Sequence, residues 1–248
     1  MDLTDRIQKM MLSASNMPLP HHDSRGQEAG TTVLLLPAFK FIDNVTPASV
    51  PELIEHVVSA APTNTSPLPL SLSTNPSIAG TLTPDSTSSA SGPLTSQPFP
   101  NLPAQFSVRD CPHAYLILLC SQGTRDARCG QSAPLLRKEF ERHLRPLGLF
   151  RDLDDQRPGG VGIYFINHVG GHKYSANCMI YRRGSKDRES TDGTGAPREQ
   201  AAQCMWLARV RPEDCENLVR FTLLQGKLVK PESQLRGGFD RSRRLTSW

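Results

Sequence analysis

The apolar positions of the chain fall into two blocks separated by a long stretch without hydrophobic periodicity. In the second block Ala114-Tyr-Leu-Ile-Leu-Leu-Cys120 is a run of apolar and β-forming residues and predicts a buried strand that ends at Cys120. A polar loop leads from there to Cys129. Ser132 is then an N-cap, and Leu136, Phe140, Leu144 and Leu147 recur at helical spacing until Gly148. Residues 161–167 predict a second strand that delivers His168 at its carboxyl end, and residues 176–181 and 204–210 two more, with a polar loop over 182–203 between them. Pro212-Glu-Asp214 opens a last helix, with proline in its first turn and acids at the positive dipole end, and Gly226 closes it. The order β-α-β-β-β-α predicts an α/β domain over residues 109–248, with a mixed sheet, flanking helices and a thioredoxin-like look.

The first block is shorter. Thr32-Val-Leu-Leu-Leu-Pro-Ala-Phe-Lys-Phe-Ile42 reads as one strand interrupted by Pro37, which demotes it towards a sheet edge. Residues 47–61 read as a short helix with Val50, Leu53, Ile54, Val57 and Val58 on one side. A piece of this size, residues 31–61, cannot bury enough surface to fold alone. It is expected to dock on the downstream domain or to be the remnant of a larger lobe. Residues 62–108 are crowded with Pro, Ser and Thr and hold a single charge, Asp85, so they are expected to form a disordered linker. Residues 1–30 are expected to be a disordered N-terminus.

Composition narrows the function classes. The net charge of +4, from 28 basic and 24 acidic residues, is too weak a bias to point to nucleic acid. The one basic run, Arg236, Arg241, Arg243 and Arg244, reads as a solvated tail. No apolar stretch approaches the roughly 20 residues that span a bilayer. The N-terminus carries two early acids and neither a signal-peptide core nor an Arg-rich presequence, so a cytoplasmic location is expected, with mitochondria as the alternative. Six cysteines in such a chain read as thiols and metal ligands rather than as a disulfide framework.

Chemistry concentrates in two strings, Cys120-Ser-Gln-Gly-Thr-Arg-Asp-Ala-Arg-Cys129-Gly130 and His168-Val-Gly-Gly-His172-Lys-Tyr-Ser-Ala-Asn177. Two thiols and two imidazoles, each pair on its own short segment, suit a metal centre. Gly170 and Gly171 permit the tight turn that lets both imidazoles converge. Structural zinc sites space their cysteines about two to four residues apart, and eight intervening residues fit that poorly. A [2Fe–2S] cluster tolerates the longer spacing, with thiolates on one iron and imidazoles on the other. Neutral imidazoles remove about two negative charges relative to four thiolates, which raises the potential from about −400 mV towards a range of about −150 to +300 mV. Each imidazole also keeps a second nitrogen, so reduction is expected to be coupled to proton uptake.

Around these ligands, Arg125, Asp126, Arg128, Gly130, Gly170, Gly171, Lys173 and Asn177 are the residues expected to orient them, with Asp126 and Lys173 as the best candidates for a fixing ion pair. Cys111, Cys178, Cys204 and Cys215 read as buried structural thiols. The acids Asp152, Asp154 and Asp155 sit in one loop and do not make the two flanking carboxylates of a glycosidase.

Cys-x8-Cys-Gly with its internal Gly-x-Arg-Asp-x-Arg, together with His-Val-Gly-Gly-His-Lys-Tyr-x-x-Asn, resembles the sucrase/ferredoxin-like family, and within it the fungal members tied to actin patches and to inheritance of mitochondria. The resemblance covers residues 111–248, including Arg236-Gly-Gly-Phe239, and the strand at 35–42. It implies a thioredoxin-like [2Fe–2S] ferredoxin with Cys120, Cys129, His168 and His172 as ligands, a non-catalytic electron carrier or redox sensor whose redox partner is unknown. Thr246-Ser247-Trp248 is similar to the terminal tripeptides read by the cytosolic iron–sulfur assembly machinery, which makes Trp248 a recognition tail. A structural zinc module without redox activity, and a metal-free thiol oxidoreductase using Cys120 and Cys129, are the competing readings.

Overall fold

The computed structural model describes residues 10–18, 30–68, 99, 101–183 and 200–247. Strands β1 (Thr31–Leu35), β2 (Lys40–Val45) and β3 (Ser107–Asp110) form a small antiparallel sheet, with a short helical segment, α1 (residues 47–58), between the second and third. The larger sheet holds β4 (Tyr115–Cys120), β5 (Val161–Ile166), β6 (Cys178–Arg183), β7 (Ala201–Leu207), β8 (Leu235–Asp240) and β9 (Leu245–Ser247) in the order β5-β4-β6-β7-β8-β9. Among the named strands of the described residues, only β4 and β5 pair in parallel, joined by the crossover helix α2 (Ala127–Leu144). Helix α3 (residues 212–223) follows β7, and a short turn of helix, α4 (Pro231–Gln234), precedes β8.

Alternation along β4 sets the layers. Ile117 and Leu119 face α2 and α3, where they meet Leu136, Phe140, Leu218 and Leu223. Leu116 and Leu118 face the other way and pack with Phe39 and Phe41 of the small sheet. Phe41 therefore glues the small sheet to the large one, while its neighbour Ile42 joins Leu53, Val57, Phe99 and Phe106 in the lobe's own core. Phe39 and Phe41 of the 31–61 piece thus pack in one cluster with Leu116, Leu118 and Tyr164.

The predicted β-α-β-β-β-α order is present, extended by β8 and β9. Four local readings are corrected. The 32–42 run is a hairpin rather than one broken strand, because the chain reverses between Leu35 and Lys40 and β1 pairs back on β2. Ser107–Asp110, counted as linker, is a strand because β2 offers it a full antiparallel register. Helix α2 begins at Ala127, not after Ser132, because Asp126 caps it by accepting from the Arg128 N–H at 3.1 Å. Residues 13–16, counted as disordered, lie along β5: the Phe165 N–H donates to Asn16 Oδ1 at 2.8 Å, and the Asn167 N–H to Ser13 Oγ at 3.0 Å. The centre of the expected linker and the loop after Arg183 lie outside the described residues.

Away from the two cysteine and histidine strings, one buried polar pair stands out. His113 lies in the core with Nε2 3.1 Å from the Tyr164 hydroxyl, and its ring fills the space in which Gly162 has no side chain. Burial pulls the His113 imidazole down to about 4, helped by the charge of Arg151. No helix among the described residues is long and apolar enough to cross a membrane.

Candidate metal centre

Parallel pairing of β4 and β5 puts their carboxyl ends side by side, with Cys120 opposite Ile166. The two chemical strings leave the sheet from that common end. The Cys120 N–H is held by the Asn177 carbonyl at 3.1 Å, and the next N–H, of Ser121, by Ile166 at 2.9 Å, so the extended path continues one residue past the strand. The chain then folds over into α2, whose first turn carries Cys129. A β-carbon at Gly130 would lie 2.7 Å from the Gly123 Cα, a contact between two backbones that only glycine allows. This close approach brings the start of the loop against the start of the helix, and with it Cys120 against Cys129.

His168 enters from β5. Its N–H donates to Gln122 Oε1 at 3.2 Å, and its Nδ1 lies 3.6 Å from Cys120 Sγ and 3.8 Å from Cys129 Sγ. The donor atoms of Cys120, Cys129 and His168 all lie within 4.8 Å of one another, a group that could hold a metal ion. Both thiols are buried, and His168 is partly so. Gly170 and Gly171, at φ +79° and +69°, turn the chain back and stack His172 on His168 with ring centroids 5.0 Å apart. His172 Nδ1 lies 3.1 Å from Asp126 Oδ2, which leaves its Nε2 as the nitrogen free to ligate.

The electrostatics favour ligation. Burial, and the neighbouring Cys129 thiol, push the Cys120 thiol up to about 12, so it stays protonated until a cation displaces the proton. Burial pulls the His168 imidazole down, aided by the neighbouring His172 and then by Arg125 and Arg236 against the opposing charge of Asp126, which favours the neutral form that can donate its lone pair. The Arg128 guanidinium, with His172 and a backbone N–H, holds the Asp126 carboxyl at about 2 against the opposing effect of burial.

Other expected neighbours are placed as follows. Asp126 pairs with Arg128 at 3.0 Å and with His172, not with Lys173. The reason is reach: Asp126 is the cap of α2 and faces its own first turn, while the Lys173 ammonium lies over the Tyr174 ring, 4.9 Å from the centroid. Arg128 also donates to the His172 carbonyl at 2.9 Å, which ties the cysteine segment to the histidine turn. Asn177 is buried and accepts from Trp206 Nε1 at 3.2 Å and from Arg236 Nη1 at 3.0 Å. Cys111, Cys178, Cys204 and Cys215 are free, buried and outside the ligand group. Trp248 lies outside the described residues.

Arg236 is the site residue that sequence reasoning assigned to a solvated tail. It donates to the Gly170 carbonyl at 2.9 Å and to the Val169 carbonyl at 3.5 Å, and its guanidinium lies 4.1 Å from the Trp206 ring and 4.7 Å from the Tyr174 ring. It thereby bolts the histidine turn to β7 and β8. The Arg-Gly-Gly-Phe string was the signal available in the sequence.

The chain is 39% identical over 115 residues to actin patches distal protein 1 of Saccharomyces cerevisiae, a match that covers 46% of this chain and 31% of the relative. It is 35% identical over 118 residues to altered inheritance of mitochondria protein 32 of Clavispora lusitaniae, covering 48% and 33%, and 31% identical over 115 residues to the protein of that name in Debaryomyces hansenii, covering 46% and 33%. The chain thus matches about a third of the length of these relatives. No solved structure matches. The sequence profile of the sucrase/ferredoxin-like family matches residues 2–237, well beyond the segment whose motifs carry the resemblance, and the chain belongs to that family.

Proposed function

We propose that this protein is an electron carrier or redox sensor in which Cys120, Cys129, His168 and His172 hold a [2Fe–2S] cluster. The observation that carries the reading is the meeting of two buried thiols with one imidazole within 4.8 Å, and a second imidazole stacked on the first. That donor set fits the group: two soft thiolates and two imidazoles, delivered by separate loops, suit two irons. When bound, the cluster would supply one-electron transfer. Asp126 would fix His172 as the Nδ1–H tautomer and hold the proton whose affinity changes with the oxidation state. Buried Cys120 and Cys129 would keep water from the sulfur side, while His172, with 63% of its side chain exposed, would face solvent.

The test is an anaerobic preparation examined by colour, iron and sulfide content, and EPR after dithionite reduction, beside His168→Ala and His172→Ala. A red-brown protein whose axial signal is altered in both variants supports the proposal. A colourless protein with one zinc and no iron would sink it in favour of a structural zinc module, a reading favoured by the three donors that already converge. A flat midpoint potential from acid to alkaline pH would remove the proton coupling alone. The names of the relatives pair actin patches with mitochondrial inheritance, and we place the protein in the cytoplasm, with mitochondria as the alternative. Deleting Trp248 and finding normal cluster content in cells would remove its role as an assembly handle.

A further inference from the structure

Five cations from four separate segments surround the exposed His172. Arg128 donates to the His172 carbonyl, Arg209 donates to the Lys173 carbonyl at 3.3 Å, Arg236 donates to the Gly170 carbonyl, and Arg125 lies in the cysteine loop, where its charge reaches His168. Lys173, Arg209 and Arg236 converge on the ring of Tyr174, at 4.9, 5.9 and 4.7 Å from its centroid. The acid amid them, Asp126, is buried and already paired with Arg128. Among the described residues no carboxylate lies within 4 Å of Arg125, Lys173, Arg209 or Arg236. These four charges lie on segments that meet at the histidine turn, so this end of the sheet carries a local positive excess.

We propose that this face is the docking surface for an acidic partner protein that exchanges electrons with the metal centre. The inference rests on the proposed cluster only for the electron transfer, not for the docking. Two features favour a protein over a small anion. The cations are mostly exposed, Arg128 with 61% of its side chain, and they border an exposed turn rather than converge as buried donors on one point. The thiols are sealed behind β4 and α2, so the histidine turn is the side from which a partner can approach the centre. A ring of unpaired cations there steers an acidic surface onto His172 and weakens with salt. In the transfer itself one electron would pass between the partner's redox group and the group held at the site, one oxidised as the other is reduced, and no bond would be made or broken.

The probe is an acidic plant-type [2Fe–2S] ferredoxin, with basic cytochrome c as its counterpart. Binding of oxidised ferredoxin to the purified full-length protein is measured by calorimetry, and electron transfer from reduced ferredoxin by stopped flow, at low and high salt. The combined variant Arg125→Glu, Lys173→Glu, Arg209→Glu is compared with Lys138→Glu, Arg220→Glu, Arg243→Glu, which changes net charge equally at exposed positions elsewhere. The expected result is a loss of about tenfold or more in both affinity and rate for the first variant at low salt, a change of about twofold or less for the second, and convergence of all three proteins at high salt. Equal losses in the two variants, salt-independent binding, tighter binding of cytochrome c, or displacement by stoichiometric inorganic phosphate would each overturn the proposal. If the preparation carries no iron, the cluster reading falls, and the binding arm still decides the docking face.

Discussion

Replacing Arg236 by alanine tests the attachment of the histidine turn to the sheet. The substitution removes hydrogen bonds to the Gly170 carbonyl, the Val169 carbonyl and Asn177 Oδ1, and lifts a guanidinium off Trp206 and Tyr174. Gly170 is exposed, so water replaces the donor there at small cost. Asn177 is 1% exposed and keeps only the Trp206 N–H on its oxygen, so that loss is felt nearly in full, about 1–2 kcal/mol. The two ring contacts add about 0.5–1 kcal/mol each. The sum, about 2–4 kcal/mol, corresponds to a fall in Tm of roughly 5–15 °C for a chain of this size. Circular dichroism melts of the metal-loaded protein measure it, and the rate of stripping by a chelator measures whether the turn has loosened around His168 and His172. Arg236→Lys keeps the charge but not the fork, and is expected to recover less than half of the loss. A Tm within about 2 °C of wild type, with unchanged stripping, would refute the reasoning. Full rescue by lysine would show that charge alone matters.

Three further outcomes follow from the same geometry. Gly130→Ala places a β-carbon 2.7 Å from the Gly123 backbone, so the loop must move away from α2; a cost of about 1–3 kcal/mol and weaker metal retention are expected, read by melts and by metal analysis after dialysis. Because Cys120 is held protonated by burial, loading of zinc into the metal-free protein displaces at least that proton, and affinity should fall about tenfold for each unit by which the pH is lowered, per proton displaced; titrations in buffers of different ionisation enthalpy count the protons, and pH-independent affinity would contradict the protonated state. His113, pulled from 6.5 down to about 4, is neutral in the folded protein, so its contribution is fully present above pH 6.5 and is lost as pH falls towards 4. That loss amounts to at most about 3 kcal/mol, and urea titrations of wild type and His113→Gln should show it flattened in the variant.

The sheet and its end were legible because β4 and β5 are short apolar runs whose length excludes a helix, and because Cys120 and His168 sit where those runs stop. The start of α2 was misread for a physical reason. Ser132 followed by Pro134 has the look of a helix opening, yet Asp126 is the residue with extended φ and an oxygen on the Arg128 N–H, and Pro134 is tolerated inside the helix. Strand β3 was hidden because Ser-Val-Arg-Asp has almost no apolar signal of its own and exists through its pairing with β2. Arg236 was hidden because its partners are backbone carbonyls and rings far away in the chain, which no local pattern encodes.

The parallel pairing of β4 with β5 has a consequence for how such a centre can diverge. The proposed donors gather at the carboxyl end of these two strands, Cys120 at the end of β4, Cys129 in the first turn of α2 and the two histidines in the turn after β5, and the strands beneath them are filled with apolar side chains. Exchanging imidazole for thiolate there would therefore alter the charge and the metal preference of the proposed centre without touching the framework. For the cluster proposed above, such an exchange in the histidine turn would shift the potential by several hundred millivolts.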